Sequence, residues 1–185
     1  MQQVTDALAV PVRYASADEP TLRGADWIDE PSCPQNVADI TNYRAASPEM
    51  ATSGQPTEAQ LAGIAAAGYE VVVNLVLHDD PRYSLPDEPG TVRALGMDYV
   101  HIPVRFDAPS EQDLQAFSAA SVKHQGRLVW IHCAANIRVT AFLGLHRVLI
   151  EEWAVEPAFE LTSSVWKPNK VWAEFIAGLH RTKRG

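Results

Sequence analysis

The stretch VWIHCAANIRVTAF, residues 129–142, decides how the rest of the sequence is interpreted. An apolar run typical of a buried strand ends at His132, and Cys133 follows immediately. Arg138 comes five positions after the cysteine, and beyond it the chain continues as an apolar segment that predicts a buried helix. The stretch therefore predicts a strand, a short loop and a helix, with a thiol and a guanidinium at the two ends of the loop.

Predicted strands and helices alternate along the chain from about residue 57. The pattern predicts a helix from about Thr57 to Gly68, a strand over 70–77, a short helix ending at Gly96 and a strand over 98–104. It continues with a helix from a capping box at 110–113 to about Lys123, a strand over 127–132, an apolar helix over 139–153 and an amphipathic helix over 168–181. This alternation indicates a single α/β domain whose mostly parallel central sheet is flanked by helices.

The first part of the chain differs from this core. Prolines at positions 11, 20, 31 and 34 interrupt residues 1–40, which we interpret as an irregular N-terminal arm before a domain over 41–185. The arm carries Cys33, and two cysteines in the whole chain do not make a disulfide framework, so reduced thiols are expected. A redox role for Cys33 with Cys133 stays open, because sequence does not place the two within bonding distance.

The composition narrows the classes of partner. The chain of 185 residues has a formal charge of −8, which argues against nucleic acid or an anionic membrane as its main partner. No apolar run approaches the length of a membrane span, and the N-terminus lacks the basic and then apolar pattern of a signal peptide. We therefore expect a cytoplasmic location. The sequence does not specify the oligomeric state.

Cys133 lies where open α/β sheets bind their ligands, beyond the carboxyl end of a strand. The helix that follows directs unpaired backbone N–H groups and the positive end of its dipole toward the sulfur, and Arg138 adds a permanent cation. Both features favour the thiolate, which is the reactive form of cysteine. Thr140 offers a further hydroxyl donor. The sequence therefore predicts an ionised nucleophile at the start of the loop.

The residues after the cysteine suit the binding of an anion. The backbone N–H groups of Ala134, Ala135, Asn136, Ile137 and Arg138 are expected to form a cradle at the helix N-terminus. The alanines keep bulky side chains out of the ring, and asparagine tolerates the positive φ that a tight turn needs. A guanidinium fork holds two oxygens of a tetrahedral oxyanion at once, so the arrangement suits attack on a phosphoryl group.

Such an attack needs an acid that protonates the leaving oxygen. Asp107 is the best candidate, because the VRFDAPS loop leaves the second strand at the same edge of the sheet as Cys133. Glu111 and Asp113 are weaker candidates, since the capping box that begins at Ser110 already accounts for at least one of them.

Three segments together resemble one known superfamily. VWIHCAANIR, DYVHIPVRFDAPS and SGQPTEAQLAGIAAAGYEVVVNL are similar, over about residues 40–153, to the cysteine-dependent protein tyrosine and dual-specificity phosphatases, especially to bacterial phosphatase-like domains. The resemblance implies that 41–185 is a phosphatase-like catalytic domain, with Cys133 as nucleophile, Arg138 as the phosphate-binding arginine and Asp107 as general acid. It also implies that His132 supports the thiolate and that no metal or cofactor takes part.

The spacing departs from that superfamily. Its signature has five residues between cysteine and arginine, one of them glycine, whereas four separate Cys133 from Arg138 and none is glycine. Rhodanese-type sulfurtransferases use a four-residue gap to bind a persulfide. The leading hypothesis is hydrolysis of a phosphomonoester, on a protein or a small molecule and with phosphotyrosine among the candidates. Sulfur transfer through a Cys133 persulfide and a catalytically silent anion-binding module remain as alternatives.

Other polar and aromatic residues are interpreted as structural. The HDD triplet at 78–80 is expected to be solvated and not a metal site. His101, inside an apolar strand, is expected to be a hydrogen-bonded core histidine. Trp153, Trp166 and Trp172 are expected to pack the C-terminal helices.

Overall fold

A computed structural model of the chain describes residues 36–78 and 83–182, except for the side chains of 180–182. Its strands are β1 (Arg44–Ser47), β2 (Met50–Ser53), β3 (Val71–Asn74), β4 (Asp98–His101) and β5 (Val129–His132). Its helices are α1 (Glu58–Ala66), α2 (Glu88–Ala94), α3 (Glu111–Lys123), α4 (Ile137–Leu149), α5 (Val155–Ala158), α6 (Glu160–Val165) and α7 (Lys170–Thr182). One turn of 3-10 helix, Val37–Asp39, precedes them.

The five strands form one sheet in the order β1-β2-β5-β3-β4. β1 runs antiparallel to β2, and the other neighbouring pairs are parallel. Ser53, Asn74 and His132 lie side by side in register at the carboxyl edge, and His101 is the partner of Asn74 on its other side. The predicted α/β fold with a mostly parallel sheet is therefore confirmed.

Each face of the sheet is covered by its own apolar cluster. On one face Trp130 and Val72 pack with Leu61 and Ile64 of α1. On the other face, strand residues and Cys133 pack with α3, α4 and α7, including Phe142 and Trp172. Strands buried on both faces read as continuous apolar runs, which explains why β3 and β5 were predictable.

The element boundaries show where tertiary pairing overrides local sequence. The sequence did not predict β1, β2, α5 or α6. The segments RAAS and MATS lack the β-branched pattern of a strand, and they form β1 and β2 because β1 pairs with β2 and β2 pairs with β5. The predicted capping box at Ser110 and Asp113 is present, as is the helix start at Thr57. The apolar helix begins at Ile137, two residues earlier than its predicted start at 139, so Arg138 lies within it.

Two structural interpretations need correction. His101 is exposed at the end of β4, although its Nε2 lies 2.7 Å from the Val76 carbonyl oxygen, so it is hydrogen-bonded but outside the core. Trp153 is 45% exposed and lies under the Arg147 guanidinium at 4.6 Å. Trp172 is buried and Trp166 packs against the same cluster, as predicted.

Some predictions fall outside the described residues. They include residues 1–35 of the arm, with Cys33 and all four prolines, and the two aspartates of the HDD triplet. Within the described part, residues 36–40 join the packed structure, since Ile40 is 2% exposed. None of the described helices combines the length and the apolar character that crossing a membrane would require.

Gly54, directly after β2, lies against two other backbone segments: the one at Thr41 and the loop that follows β5. A Cβ on Gly54 would lie 2.9 Å from the Ala134 carbonyl oxygen and 3.1 Å from that of Thr41. Both are backbone atoms, which cannot swing aside as the end of a side chain can. Its N–H also donates to the Thr41 carbonyl at 2.6 Å.

We expect Gly54→Ala to destabilise the protein by about 1–3 kcal/mol, because the added methyl group must separate two backbone segments. Gly178→Ala on α7 is the matched control, since a Cβ there meets nothing within 4 Å and stability should be unchanged or slightly raised. Urea or thermal denaturation measures both. An unaltered midpoint for Gly54→Ala would show that the loop is not tightly packed against β2.

Candidate active site

The loop that begins at Cys133 connects β5 to α4 at the carboxyl edge of the sheet, where α/β proteins bind ligands. Its start is fixed by both neighbouring strands. The Cys133 N–H donates to the Ser53 carbonyl at 3.2 Å, and the His132 carbonyl accepts from the Leu75 N–H at 2.9 Å. The position of the cysteine backbone therefore follows from strand pairing.

The next two carbonyl groups point out of the loop. The Ala134 oxygen accepts from the Gln55 N–H at 3.2 Å, and the Ala135 oxygen accepts from the Asn42 Nδ2 at 3.0 Å. In a trans peptide the N–H of the following residue points the opposite way from the carbonyl. The amides of Ala135 and Asn136 are therefore directed toward the inside of the loop, where an anion would be bound.

Asn136 turns the chain into α4. Its φ is 65° and its ψ is 4°, a left-handed conformation that asparagine adopts more readily than most residues, as expected from the sequence. Its Nδ2 donates to the Asn42 carbonyl at 2.7 Å and to Thr52 Oγ1 at 3.0 Å. The side chain thus anchors the loop to β2 and does not cap α4, whose first N–H groups stay open to a ligand.

Arg138 is the second residue of α4. Its Nε is buried and makes no hydrogen bond to any part of the chain that the structure describes. Its Cζ lies 5.6 Å from the centre of the Phe106 ring. Burying an N–H donor without a hydrogen-bond acceptor costs free energy, so we expect the guanidinium to bind an anion whose oxygen accepts from Nε.

A cleft of about 330 Å³ opens beside the loop. It is lined by Val76, Leu77, Tyr83, Phe106, Ala134, Ala135, Ile137 and Arg138. The lining residues that the structure describes are therefore largely apolar, and Arg138 is the cation among them. Cys133 itself is completely buried, so a reacting molecule reaches the sulfur only when the lining groups move.

Thr140 does not have the predicted contact with the thiol. Its hydroxyl donates to the Asn136 carbonyl at 3.0 Å, with the Ile137 carbonyl at 3.3 Å. A hydroxyl has one proton, so this back-bond within the first turn of α4 leaves none for Cys133. Thr140 instead holds the end of the loop to the helix.

His132 has a buried partner that sequence reasoning missed. Its Nε2 lies 2.6 Å from Oε1 of Glu88, the first residue of α2, and both side chains are at most 1% exposed. Burial acts to raise the pKa of Glu88, but hydrogen bonds from His132 and Gln55 and the charge of His132 outweigh it and leave the pKa below its usual range. In the polar segment PDEPG the glutamate resembles a solvated loop residue, and no local signal identifies it.

The polar contacts continue toward the surface. Asn74 Nδ2 donates to Glu88 Oε2 at 3.1 Å and to the Tyr99 hydroxyl at 3.0 Å, and that hydroxyl lies 3.2 Å from His78 Nε2. Burial, with the negative charge of Glu88, raises the pKa of Tyr99, so its hydroxyl keeps its proton. His78 stacks on His101 with 4.0 Å between ring centres.

Asp107 lies next to the cleft wall but does not line the cleft. Its carboxylate pairs with the Arg105 guanidinium at 2.8 and 3.1 Å, and its side chain is 71% exposed. The hydrogen bond from Arg105 lowers the pKa of Asp107. Asp113 completes the capping box, as predicted. Within 36–78 and 83–182, no three His, Cys, Asp or Glu side chains are grouped so as to hold a metal ion.

The chain is similar to proteins of known sequence and structure. A family model described as a DSP-PTPase phosphatase fused to NAD+ kinase, PTP-NADK, matches residues 35–165. The crystal structure of a DUF442 protein from Shewanella putrefaciens CN-32, whose phosphatase function is an inference, is 30% identical with a TM-score of 0.70 and covers 81% of this chain and 98% of its own. Tk-PTP in its active form, at 21% identity, has a TM-score of 0.64 over 76% of this chain and 97% of its own, which shows a shared fold.

One curated relative is the beta-lactamase hydrolase-like protein of Xylella fastidiosa strain Temecula1, which is 29% identical over 106 residues. That match covers 54% of this chain and 23% of the relative, so the chain corresponds to about a quarter of the relative's length. Because the PTP-NADK model matches most of the chain and the DUF442 structure shares its fold at 30% identity, the chain belongs to the PTP-NADK family of dual-specificity-type phosphatases, within the cysteine-dependent phosphatase superfamily.

Proposed function

We propose that the protein hydrolyses a phosphomonoester through a phosphocysteine on Cys133, without a metal ion. The observation that carries this proposal is Arg138, which lines the cleft at the N-terminus of α4 and whose buried Nε makes no hydrogen bond within the described chain. The inward amides of Ala135 and Asn136 point to the same place. Together they offer a phosphoryl group both fixed donors and positive charge.

The reaction has two steps. The Cys133 thiolate attacks phosphorus, a sulfur–phosphorus bond forms, and the bond from phosphorus to the leaving oxygen breaks as that oxygen takes a proton from Asp107. Water then attacks phosphorus, gives a proton back to Asp107, and the sulfur leaves as the thiolate. Arg138 and the loop amides hold the other phosphoryl oxygens throughout. His132 supports the loop from the strand side.

Asp107 must turn for this role. In the described state its carboxylate faces Arg105 and solvent, and its lowered pKa leaves little of the protonated acid at neutral pH. Its neighbour Phe106 lines the cleft, so a rotation of this loop segment would bring the carboxyl group to the mouth. Moving the Asp107 carboxyl group away from Arg105 and out of water would raise its pKa toward the range that a general acid needs.

Cys133→Ser should lower the hydrolysis of p-nitrophenyl phosphate by roughly a thousandfold or more, because an alcohol is not ionised at neutral pH. It should keep its affinity for inorganic phosphate, since backbone amides and Arg138 make the cradle. Arg138→Lys should weaken phosphate binding by about tenfold, because an ammonium cannot form the two parallel bonds. Phosphate release that is unchanged in Cys133→Ser would refute the proposal.

The pH profile of kcat/KM tests Asp107. Arg105 lowers the pKa of Asp107, so Arg105→Gln should let the acid keep its proton to higher pH and move the basic limb of the profile upward. Asp107→Asn should abolish that limb and lower kcat. The control Asp113→Asn alters a carboxylate of the capping box and should leave the limb in place. A profile that is the same in all variants would remove Asp107 as the acid.

Sulfur transfer is the second candidate, and two observations favour it. Four residues separate Cys133 from Arg138, and among residues 36–78 and 83–182 no carboxyl group lines the cleft, which suits a reaction that needs no acid. The Cys133 thiolate would take the outer sulfur of thiosulfate as a persulfide and release sulfite. Cyanide would then attack that sulfur, leave as thiocyanate and regenerate the thiolate.

Parallel assays separate the candidates. Release of p-nitrophenol without a metal supports the phosphatase, and thiocyanate formed from thiosulfate and cyanide supports sulfur transfer, each only if Cys133→Ser abolishes it. Phosphate binding without either turnover would identify a silent anion-binding module.

A further inference from the structure

Glu88 is the point where three segments around the loop meet. Its Oε1 accepts from His132, and its Oε2 accepts from Gln55 Nε2 and Asn74 Nδ2, both at 3.1 Å. Because its pKa lies below the usual range, Glu88 is ionised at neutral pH and acts as an acceptor for all three groups. His132 therefore carries a proton on Nε2.

Two of these contacts lead directly to the loop. His132 precedes Cys133 in the chain, and its carbonyl is bonded to the Leu75 N–H. Gln55 uses its backbone N–H to hold the Ala134 carbonyl out of the loop, while its side chain binds Glu88. One carboxylate thus reaches the backbone on each side of the sulfur.

A buried carboxylate is an expensive way to join these segments. Removing an ionised group from water costs free energy that its partners offset only with good geometry, and apolar residues of similar size often stabilise a core better. Glu88 is nevertheless 1% exposed, at the first position of a helix that Asp87 already caps. The three donors around it share an acceptor that an apolar side chain would not provide.

We propose that Glu88 is a positioning residue for the anion cradle: by binding His132 and Gln55 it sets where Cys133 and the Ala134 carbonyl lie, and hence where the loop amides point. The inference rests on the proposed function in that the cradle binds a phosphoryl group. It adds a residue on α2, outside the cleft, on which oxyanion affinity depends.

Glu88→Gln tests this role. An amide has one acceptor oxygen and a donor group, so it can satisfy His132 only by facing the amide donors of Gln55 and Asn74 with its own NH₂ group. Titration calorimetry with inorganic phosphate should show roughly tenfold weaker binding, and KM for p-nitrophenyl phosphate should rise in parallel. The matched control is Val92→Ala, which loosens the same helix at a fully buried apolar position.

The control separates positioning from stability. A variant that is only less stable unfolds at a lower temperature, but under conditions where it is folded it keeps the wild-type kcat, KM and phosphate Kd, which is the result expected for Val92→Ala. If Glu88→Gln does not fold, Glu88→Asp keeps the charge but is one methylene shorter, and it should fold with a raised phosphate Kd.

A double-mutant cycle identifies the route. Gln55→Ala removes the side chain that binds Glu88 but keeps the backbone N–H, so its effect on phosphate affinity should not add to that of Glu88→Gln. Full additivity would overturn the route through Gln55. Wild-type affinity in the folded Glu88 variants would overturn the proposal itself.

Titration with phosphate also distinguishes the positioning role of Glu88 from the proposed phosphatase activity. A wild-type protein that binds phosphate but hydrolyses no phosphoester would remove the phosphatase and leave the role of Glu88 intact if Glu88→Gln weakens binding. A wild-type protein that binds no phosphate would overturn both.

Discussion

The shape of the loop after β5 depends on neighbouring segments that bind its carbonyl groups. Gln55 and Asn42 hold two successive carbonyl oxygens outward, and peptide planarity then turns the next two amides inward. The Asn42 side chain donates to the Ala135 carbonyl, and the Asn136 side chain donates to the Asn42 carbonyl. Both asparagines have positive φ. Without these anchors the amides would have no preferred direction, and the helix dipole alone would not define a site.

The sheet separates the reactive group from the polar contacts that support it. Successive strand residues point to opposite faces, so His132 lies on the face of Trp130 while Cys133 packs into the other apolar cluster. Glu88, Gln55 and Asn74 are therefore gathered under α1 and α2, and the thiol lies beside α4. The Glu88 carboxylate can be buried because three side chains donate to its two oxygens on this face of the sheet, away from the cleft beside the loop.

Membership of the PTP-NADK family and the geometry of the loop agree on anion chemistry. The cleft adds a constraint of its own. Its walls are mostly apolar, and Arg138 stacks on Phe106 at 5.6 Å, so a bound oxyanion would be held by few and well-directed groups. In such surroundings each hydrogen bond to the anion is stronger than in water, and each missing one costs more.

The sequence alone determined the α/β class, the parallel strands β3 and β5, the helices that follow them and the loop from Cys133 to Arg138. These are local features, since apolar runs, capping boxes and a left-handed asparagine are legible in consecutive residues. The pairing of Asp107 with Arg105 and the back-bond of Thr140 to Asn136 are local contacts that the sequence pattern did not reveal. Tertiary structure decided the strands β1 and β2 and the burial of Glu88 against His132. Each depends on residues brought together by pairing or packing, 44 positions apart for Glu88 and His132, and no local pattern encodes such a meeting.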